Sequence, residues 1–347
     1  MPLLRTIHRA ALVAEKPIDA LIRRRQRGRR PILEPYLGYA TPDTLIARGR
    51  VLTALRRSEP LPTQSKWANF KQMLSLFLTD EVADVTVVAG EHEAVSDEEG
   101  YVTLVLERGG TAPGWHEIPV TVKGEDHPEL FPVLVPRADA RFGVISDIDD
   151  TMLETGAYSL ARNLWTSLTG SVDTRSLFPD SVKLMERLSE DGLNPVFYVS
   201  SSPWNLHWFL QEIFAAHGLV RGPTFLRDLG LSETQFISGT HGDHKGASID
   251  AILLANPGLP FVLIGDTGQH DAHVYLDATR RHPGRIARVI LREPGPGPDA
   301  ASSHAIEEIE ADGVEVFHAP SFEGLLERPV VVDVSAGRRV TLRGEEA

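Results

Sequence analysis

The stretch FGVISDIDDTMLETG, residues 142–156, decides the fold. An apolar run feeds directly into Asp147, Asp149 and Asp150, followed by Thr151. Such a run, bounded by polar residues, reads as a buried strand. Three carboxylates within four positions repel one another, and a divalent cation or a shared proton would offset that cost. At an extended strand end, Asp147 and Asp149 point the same way, so both can face one reacting group. Taken alone, the cluster also reads as an acidic turn or a helix N-cap.

Downstream of residue 141, apolar strands alternate with helical segments. The pattern predicts elements at 142–146, 182–188, 196–200, 204–217, 224–226, 247–254, 261–264, 270–279, 286–291 and 314–317. This alternation implies an α/β fold with a parallel sheet covered on both faces. Right-handed crossovers then gather the strand C-terminal ends on one edge, where open sheets bind ligands. EPGPGPDAASS (293–303) reads as a loop, and residues 331–347 as a terminal hairpin or tail turning at SAG. Upstream, residues 33–134 read as mainly β, with alternating runs at 44–51, 82–88, 101–107 and 118–122. One helix interrupts them, WANFKQMLSLFL (67–78), with Phe70, Met73, Leu74 and Phe77 at helical spacing. The run VADVTVVAGEHEAVSDEEGYVTLVLE (82–107) resembles a small β-sandwich of the transthyretin or carboxypeptidase-regulatory kind. It carries no clustered nucleophile, so it reads as a binding or scaffolding module. The expected domains are a basic leader at 1–30, a β-rich module at 31–136, an α/β domain at 137–330 and the tail at 331–347.

Three further segments join the acidic cluster. VFYVSSSPW ends a second apolar strand at Ser200, HGDHKGASI offers Lys245 near a helix start, and FVLIGDTGQHD ends another strand at Asp266, with Asp271 beyond it. Singly, each has a plain structural explanation. Ser202 before Pro203 has the signature of a helix cap, a lone lysine is usually solvated, and Gly-Asp after a strand is a common turn. Together they converge on one sheet edge, the expected form of an active site. HGDH also sets His241 and His244 three apart, a spacing that can ligate zinc, but no third ligand at a typical spacing accompanies them.

The order D-x-D-x-T, strand-end Ser, Lys, then G-D-x-x-x-x-D resembles the haloacid dehalogenase superfamily of phosphotransferases. SDIDDT, SSSPWNL, HK before a helix, and IGDTGQHDAHVY are similar to the actin-patch-associated phosphatidate phosphatases and their bacterial relatives. The resemblance covers roughly residues 141–325 and implies a Rossmann-like sheet. It further implies that Asp147 is a nucleophile forming an aspartyl-phosphate and that Asp149 is the general acid and base. Mg²⁺ would be held by the Asp147 carboxylate, the Asp149 carbonyl and Asp266. Ser200 and Lys245 would neutralise phosphoryl oxygens, Asp271 would orient Lys245 or a water on the cation, and Asp150 and Thr151 would support the site. The short spacings from Asp147 to Ser200 and from Ser200 to Lys245 leave no room for a large cap, so an open site is expected. YSLARNLWTSL (158–168) could form a short flap, with Trp165 and Leu168 near acyl chains or, more commonly for such residues, in the core.

Composition narrows the function classes. With 347 residues, about two domains are expected. The chain has no cysteine, which excludes a disulfide scaffold, a thiolate zinc site and a cysteine nucleophile. No apolar run reaches the ~20 residues of a membrane span, and charges interrupt the N-terminal apolar stretch, so a secretory signal is not expected. A cytoplasmic enzyme is expected, able to sit peripherally on a membrane. Residues 1–30 carry nine basic and two acidic side chains, leaving 26 basic against 46 acidic in the rest. So acidic a body repels nucleic acid. The leader is either a solvated arm or an interfacial anchor; as an anchor, its deletion weakens binding to anionic vesicles, most at low salt. The expected function is Mg²⁺-dependent hydrolysis of a phosphate monoester, phosphatidate or a related lipid first. The alternatives are a protein or soluble-metabolite phosphatase, and a non-catalytic scaffold.

Overall fold

The computed structural model describes residues 30–53, 81–154, 177–227, 241–295, 297–327, 330–333 and 339–342. The basic leader, the expected helix at 67–78, the candidate flap at 158–168 and the SAG turn lie outside the described residues, apart from Arg30 at the leader's end.

The N-terminal module has seven strands: β1 (Ile32–Ala40), β2 (Thr44–Leu52), β3 (Thr86–Ala89), β4 (His92–Val95), β5 (Tyr101–Glu107), β6 (Gly114–Val122) and β7 (Glu129–Val135). They form one sheet in the order β4-β3-β6-β7-β1-β2-β5. All pairs are antiparallel except β1 with β7. The outer strands β4 and β5 follow each other in sequence, joined through the Asp97–Tyr101 turn. The sheet therefore curls toward a barrel around Val51, Val87, Leu104, Val120, Phe131 and Val133, instead of forming the two packed layers of a sandwich. Alternation tells which face of a strand is buried, but a sandwich and a curled sheet share that signal.

The second unit is built on β8 (Gly143–Asp147), β9 (Val196–Pro203), β10 (Thr224–Arg227), β11 (Phe261–Asp266), β12 (Ile286–Arg292) and β13 (Glu315–Ala319). All six are parallel, in the order β10-β9-β8-β11-β12-β13. The chain winds outward from β8 in one direction and then outward from β11 in the other. The order thus reverses between β8 and β11, which places a crevice outside their C-terminal ends.

Helices cover both faces. α1 (Pro179–Ser189) and α2 (His207–Ala216) pack on one face, against Val144, Val262 and Ile290. α3 (His241–Ala255), α4 (Asp271–Arg281) and α5 (Ala300–Ala311) pack on the other, against Ile145, Leu263 and Val289. Neighbouring strand residues thus serve opposite cores, as the pleat requires. A short α6 (Glu323–Leu326) adds Leu325 to the first core. The tail forms the expected hairpin, β14 (Val330–Asp333) with β15 (Arg339–Leu342).

The loop expected at 293–303 is cut short by α5. Asp299 caps that helix by accepting from the Ser302 amide at 2.7 Å. β1 carries Pro35 and Gly38, which mask its pattern. Pro35 lies opposite Gly49 of β2, and β1 meets β7 only at Gly38 and Tyr39. Among the described residues no helix is long and apolar enough to cross a membrane.

The two units meet at Tyr36, Arg48, Trp204 and His207. Burial, reinforced by the Arg48 charge, pulls the His207 imidazole down from 6.5 to about 3. The folded protein therefore keeps His207 neutral, while the unfolded chain takes up a proton below its ordinary pKa. His207 costs no stability above pH 6.5, and between 6.5 and about 3 it removes up to ~1.4 kcal/mol per pH unit. The difference in unfolding free energy between wild type and His207→Gln is expected to be flat above neutrality and to shift in the variant's favour as pH falls. Chemical denaturation at pH 7.5, 6 and 5 checks this, and a pH-independent difference would contradict it.

Candidate active site

Asp147 is the last residue of β8 and Asp266 the last of β11, so both stand at the reversal crevice. Asp271 opens α4, and Lys245 lies on α3. The Lys245 Nζ is 2.8 Å from Asp147 Oδ1 and 2.5 Å from Asp271 Oδ1. Asp147, Asp266 and Asp271 each place a carboxylate oxygen within 4.8 Å of the others, and all four side chains are buried. Asp271 is fully committed: Oδ1 meets Lys245, and Oδ2 accepts from the Asp266 amide at 3.2 Å. It therefore orients Lys245 and braces the strand end. Gly265 makes this possible, because a Cβ there would fall 2.5 Å from Asp271 Oδ2 and 2.7 Å from the Tyr275 hydroxyl.

Three buried carboxylates lie around one buried ammonium. Burial, then the charges of Asp271 and Asp149, push the Asp147 carboxyl well up against the opposing pull of Lys245. Asp266 is pushed the same way by burial and by Asp271 and Asp147. Burial pulls the Lys245 ammonium down, but Asp147, Asp271 and Asp266 outweigh it and its pKa rises. Asp266 Oδ1 accepts from the Gly268 amide at 2.6 Å, whereas its buried Oδ2 has no hydrogen-bond partner among the described residues. An orphaned buried carboxylate oxygen is costly. An all-oxygen donor set with excess negative charge fits a hard divalent cation.

Beyond Asp147 the strand stops. Met152 and Leu153 amides fold back onto the Ile148 carbonyl at 2.9 Å, and Asp150 adopts φ 55°, a left-handed conformation that Asp tolerates. The left-handed residue lies after both carboxylates, and the charge of Asp149 bears on Asp147. Thr151 Oγ1 donates to Asp147 Oδ2 at 3.2 Å. Asp149 Oδ2 accepts from the hydroxyls of Ser200 and Ser202, each at 2.9 Å. The Asp149 carbonyl receives a long bond, 3.3 Å, from Gln269 Nε2.

All eight sequence-predicted residues therefore lie at this edge. Asp147, Asp266, Asp271 and Lys245 form one cluster, Asp149 and Ser200 a pair beside it, and Asp150 and Thr151 the turn between. The plain structural explanation for Ser202 does not hold. This residue makes no helix cap, because β9 runs on through Pro203 and the Ser202 hydroxyl turns to Asp149.

Arg292 is a site-supporting residue that sequence reasoning missed. At the end of β12, it donates from Nε to the Thr151 carbonyl at 3.3 Å and from Nη2 to Asp180 Oδ1 at 2.9 Å and Ser181 Oγ at 2.7 Å. Ser181 Oγ also donates to the Thr151 carbonyl at 2.7 Å. The only sequence signal is an arginine closing an apolar strand. Arg292→Met is expected to loosen the Thr151 turn and lower kcat roughly 10-fold, within the range for a misplaced reacting group. Steady-state kinetics checks this, and an unchanged kcat would remove Arg292 from the support.

Residues 142–293 match the family model described as phosphatidate phosphatase APP1, catalytic domain. The chain is 30% identical over 151 residues to phosphatidate phosphatase APP1 of Saccharomyces cerevisiae, a match covering 43% of this chain and 25% of that protein. It is 27% identical over 154 residues to an uncharacterized protein of Schizosaccharomyces pombe, again covering 43% of this chain and 25% of the relative. The chain thus spans about a quarter of the length of the curated relatives it matches. Every residue of the site falls inside the matched segment, so it is residues 142–293 that are similar to the phosphatidate phosphatase APP1 catalytic domain.

Proposed function

We propose that this protein hydrolyses a phosphate monoester on Asp147, with a lipid phosphate of the phosphatidate class as the leading substrate. The observation that carries the reading is the buried Asp147, paired to Lys245 and grouped with the Asp266 carboxylate at the sheet's reversal point. The family match and the name of the yeast relative support the substrate class. The fold is read as a Rossmann-like domain of the haloacid dehalogenase type at 137–330. It is flanked by the leader at 1–30, the β-module at 31–136 and the tail at 331–347.

The chemistry follows from the positions. An Asp147 carboxylate oxygen attacks phosphorus in line, a P–O bond to Asp147 forms and the P–O bond to the leaving alkoxide breaks. Asp149, with its carboxyl held by Ser200 and Ser202, gives its proton to that alkoxide. In the second half, Asp149 takes a proton from water, whose oxygen attacks phosphorus and frees the Asp147 carboxylate. Lys245 neutralises charge on the phosphoryl oxygens, and the Ser200 hydroxyl donates to one of them when its hydrogen turns from Asp149 to the substrate, leaving Ser202 on Asp149. Asp147, Asp266 and the Asp149 carbonyl would hold Mg²⁺, which supplies positive charge against the transferring phosphoryl group.

A panel of lipid and soluble phosphate monoesters, assayed with and without Mg²⁺, tests the reading. The expected result is Mg²⁺-dependent phosphate release that chelation abolishes, fastest on dispersed phosphatidate. Faster release from soluble esters or phosphopeptides would move the substrate to those classes. No release from any ester with Mg²⁺ present would leave a scaffold.

A further inference from the structure

We propose that the N-terminal β-module is part of the catalytic unit, and that Tyr36 and Arg48 are positioning residues which set the general acid through Trp204. The inference rests on the reading of Asp149 as the proton donor. The Asp149 carboxyl is held by Ser200 and Ser202, and the Ser202 amide in turn donates to Ser200 Oγ at 2.9 Å. Pro203 and Trp204 follow at once. With ~3.8 Å between successive Cα atoms, Trp204 lies no more than ~7.6 Å along the chain from Ser202.

Trp204 is held from outside its own domain. The Tyr36 ring of β1 stacks on it at 4.6 Å between centroids, 14° from parallel. Tyr101 of β5 packs at 6.4 Å, and the Arg48 guanidinium of β2 sits 5.4 Å from the indole centroid. Arg48 also ties the units together directly. Its Nη2 donates to the Leu37 carbonyl at 2.6 Å within the module and to the Thr224 carbonyl at 3.1 Å on β10. The same guanidinium lies 4.4 Å from the Phe225 ring and 5.2 Å from Tyr39. Tyr36 is 2% exposed and fixed beneath this stack. Flat aromatic and guanidinium contacts of this kind fix orientation as well as add attraction. The rim that carries Ser200 and Ser202 is therefore clamped by three strands of the module.

Leaving-group dependence separates positioning of an acid from general loosening. Benzyl phosphate needs its poor alkoxide leaving group protonated, and 4-nitrophenyl phosphate does not. Tyr36→Ala is expected to lower kcat on benzyl phosphate about 10-fold or more, part of the ~10²–10⁴ that an acid contributes, with KM little changed. On 4-nitrophenyl phosphate the loss should stay below about 3-fold, and Tyr36→Phe, which keeps the ring, should match wild type on both. Arg48→Lys should shift the same ratio in the same direction and guards against a Tyr36→Ala chain that fails to fold. Asp149→Asn, measured alongside, should show the signature at full size. Equal losses on the two esters, or no loss on benzyl phosphate, would overturn the proposal. If Asp149→Asn itself lacks the signature, the acid assignment falls and this inference with it.

Discussion

Asp147→Asn is expected to lower turnover by at least ~10⁴-fold, in line with the loss of other covalent nucleophiles, while the chain folds as well as or better than wild type. The carboxamide is nearly isosteric but cannot attack phosphorus. The expectation for stability follows from the pKa directions: burial and neighbouring carboxylates outweigh Lys245 in raising the Asp147 pKa, so a neutral group there relieves net repulsion. The metal response should change in the opposite sense. Saturating Mg²⁺ stabilises wild type by an amount set by its affinity, ~2.7 kcal/mol at a hundredfold excess over Kd. That increment should shrink in Asp147→Asn, which lacks one anionic ligand. Thermal unfolding with and without Mg²⁺ reads both effects. A variant less stable than wild type without metal, or one stabilised equally by Mg²⁺, would contradict the account.

Lys245→Met carries the second large effect. Its ammonium is the one cation paired to Asp147 and Asp271 among the described residues, and it is 4% exposed. Removing one partner of a buried pair typically costs ~3–5 kcal/mol, because the charge left behind is uncompensated. Here two carboxylates lose their partner. The loss should be partly repaired in Lys245→Met/Asp271→Asn, since the two sites are in contact and non-additive. Denaturant midpoints of the single and double variants measure the coupling. Strictly additive destabilisation would show that Lys245 does not act through Asp271. Both variants should lack phosphatase activity, because neither retains the ammonium proposed to neutralise the phosphoryl oxygens.

The Asp147 strand and the Asp266 strand were legible because an apolar run ending in an acid is a local signal. Asp147 and Asp266 are the final residues of β8 and β11. Lys245 and Asp271 were legible by order along the chain, although only the fold shows that Asp271 spends both oxygens on Lys245 and the Asp266 amide. Ser202 was hidden by a stronger local explanation, since Ser before Pro is a good helix cap. Its real partner, Asp149, lies 53 positions away. Arg292 was hidden in the same way, its contacts with Asp180 and Thr151 spanning 112 and 141 positions. α5 was obscured by the glycines and prolines just before Asp299, and β1 by Pro35 and Gly38. Whether the module's sheet packs on a second layer or curls on itself depends on pairings between distant strands, which alternation does not encode.

In the proposed reaction the phosphoryl group passes through Asp147. Acid-quenched single turnovers with a ³²P-labelled monoester, followed by peptide mapping, test it most directly. The account predicts a transient, hydroxylamine-labile label on the peptide containing residues 142–154, at Asp147, absent from Asp147→Asn and lost as phosphate is released. Label at Ser200 or another residue, or phosphate release with no protein-bound label on a time base fast enough to capture it, would contradict the account.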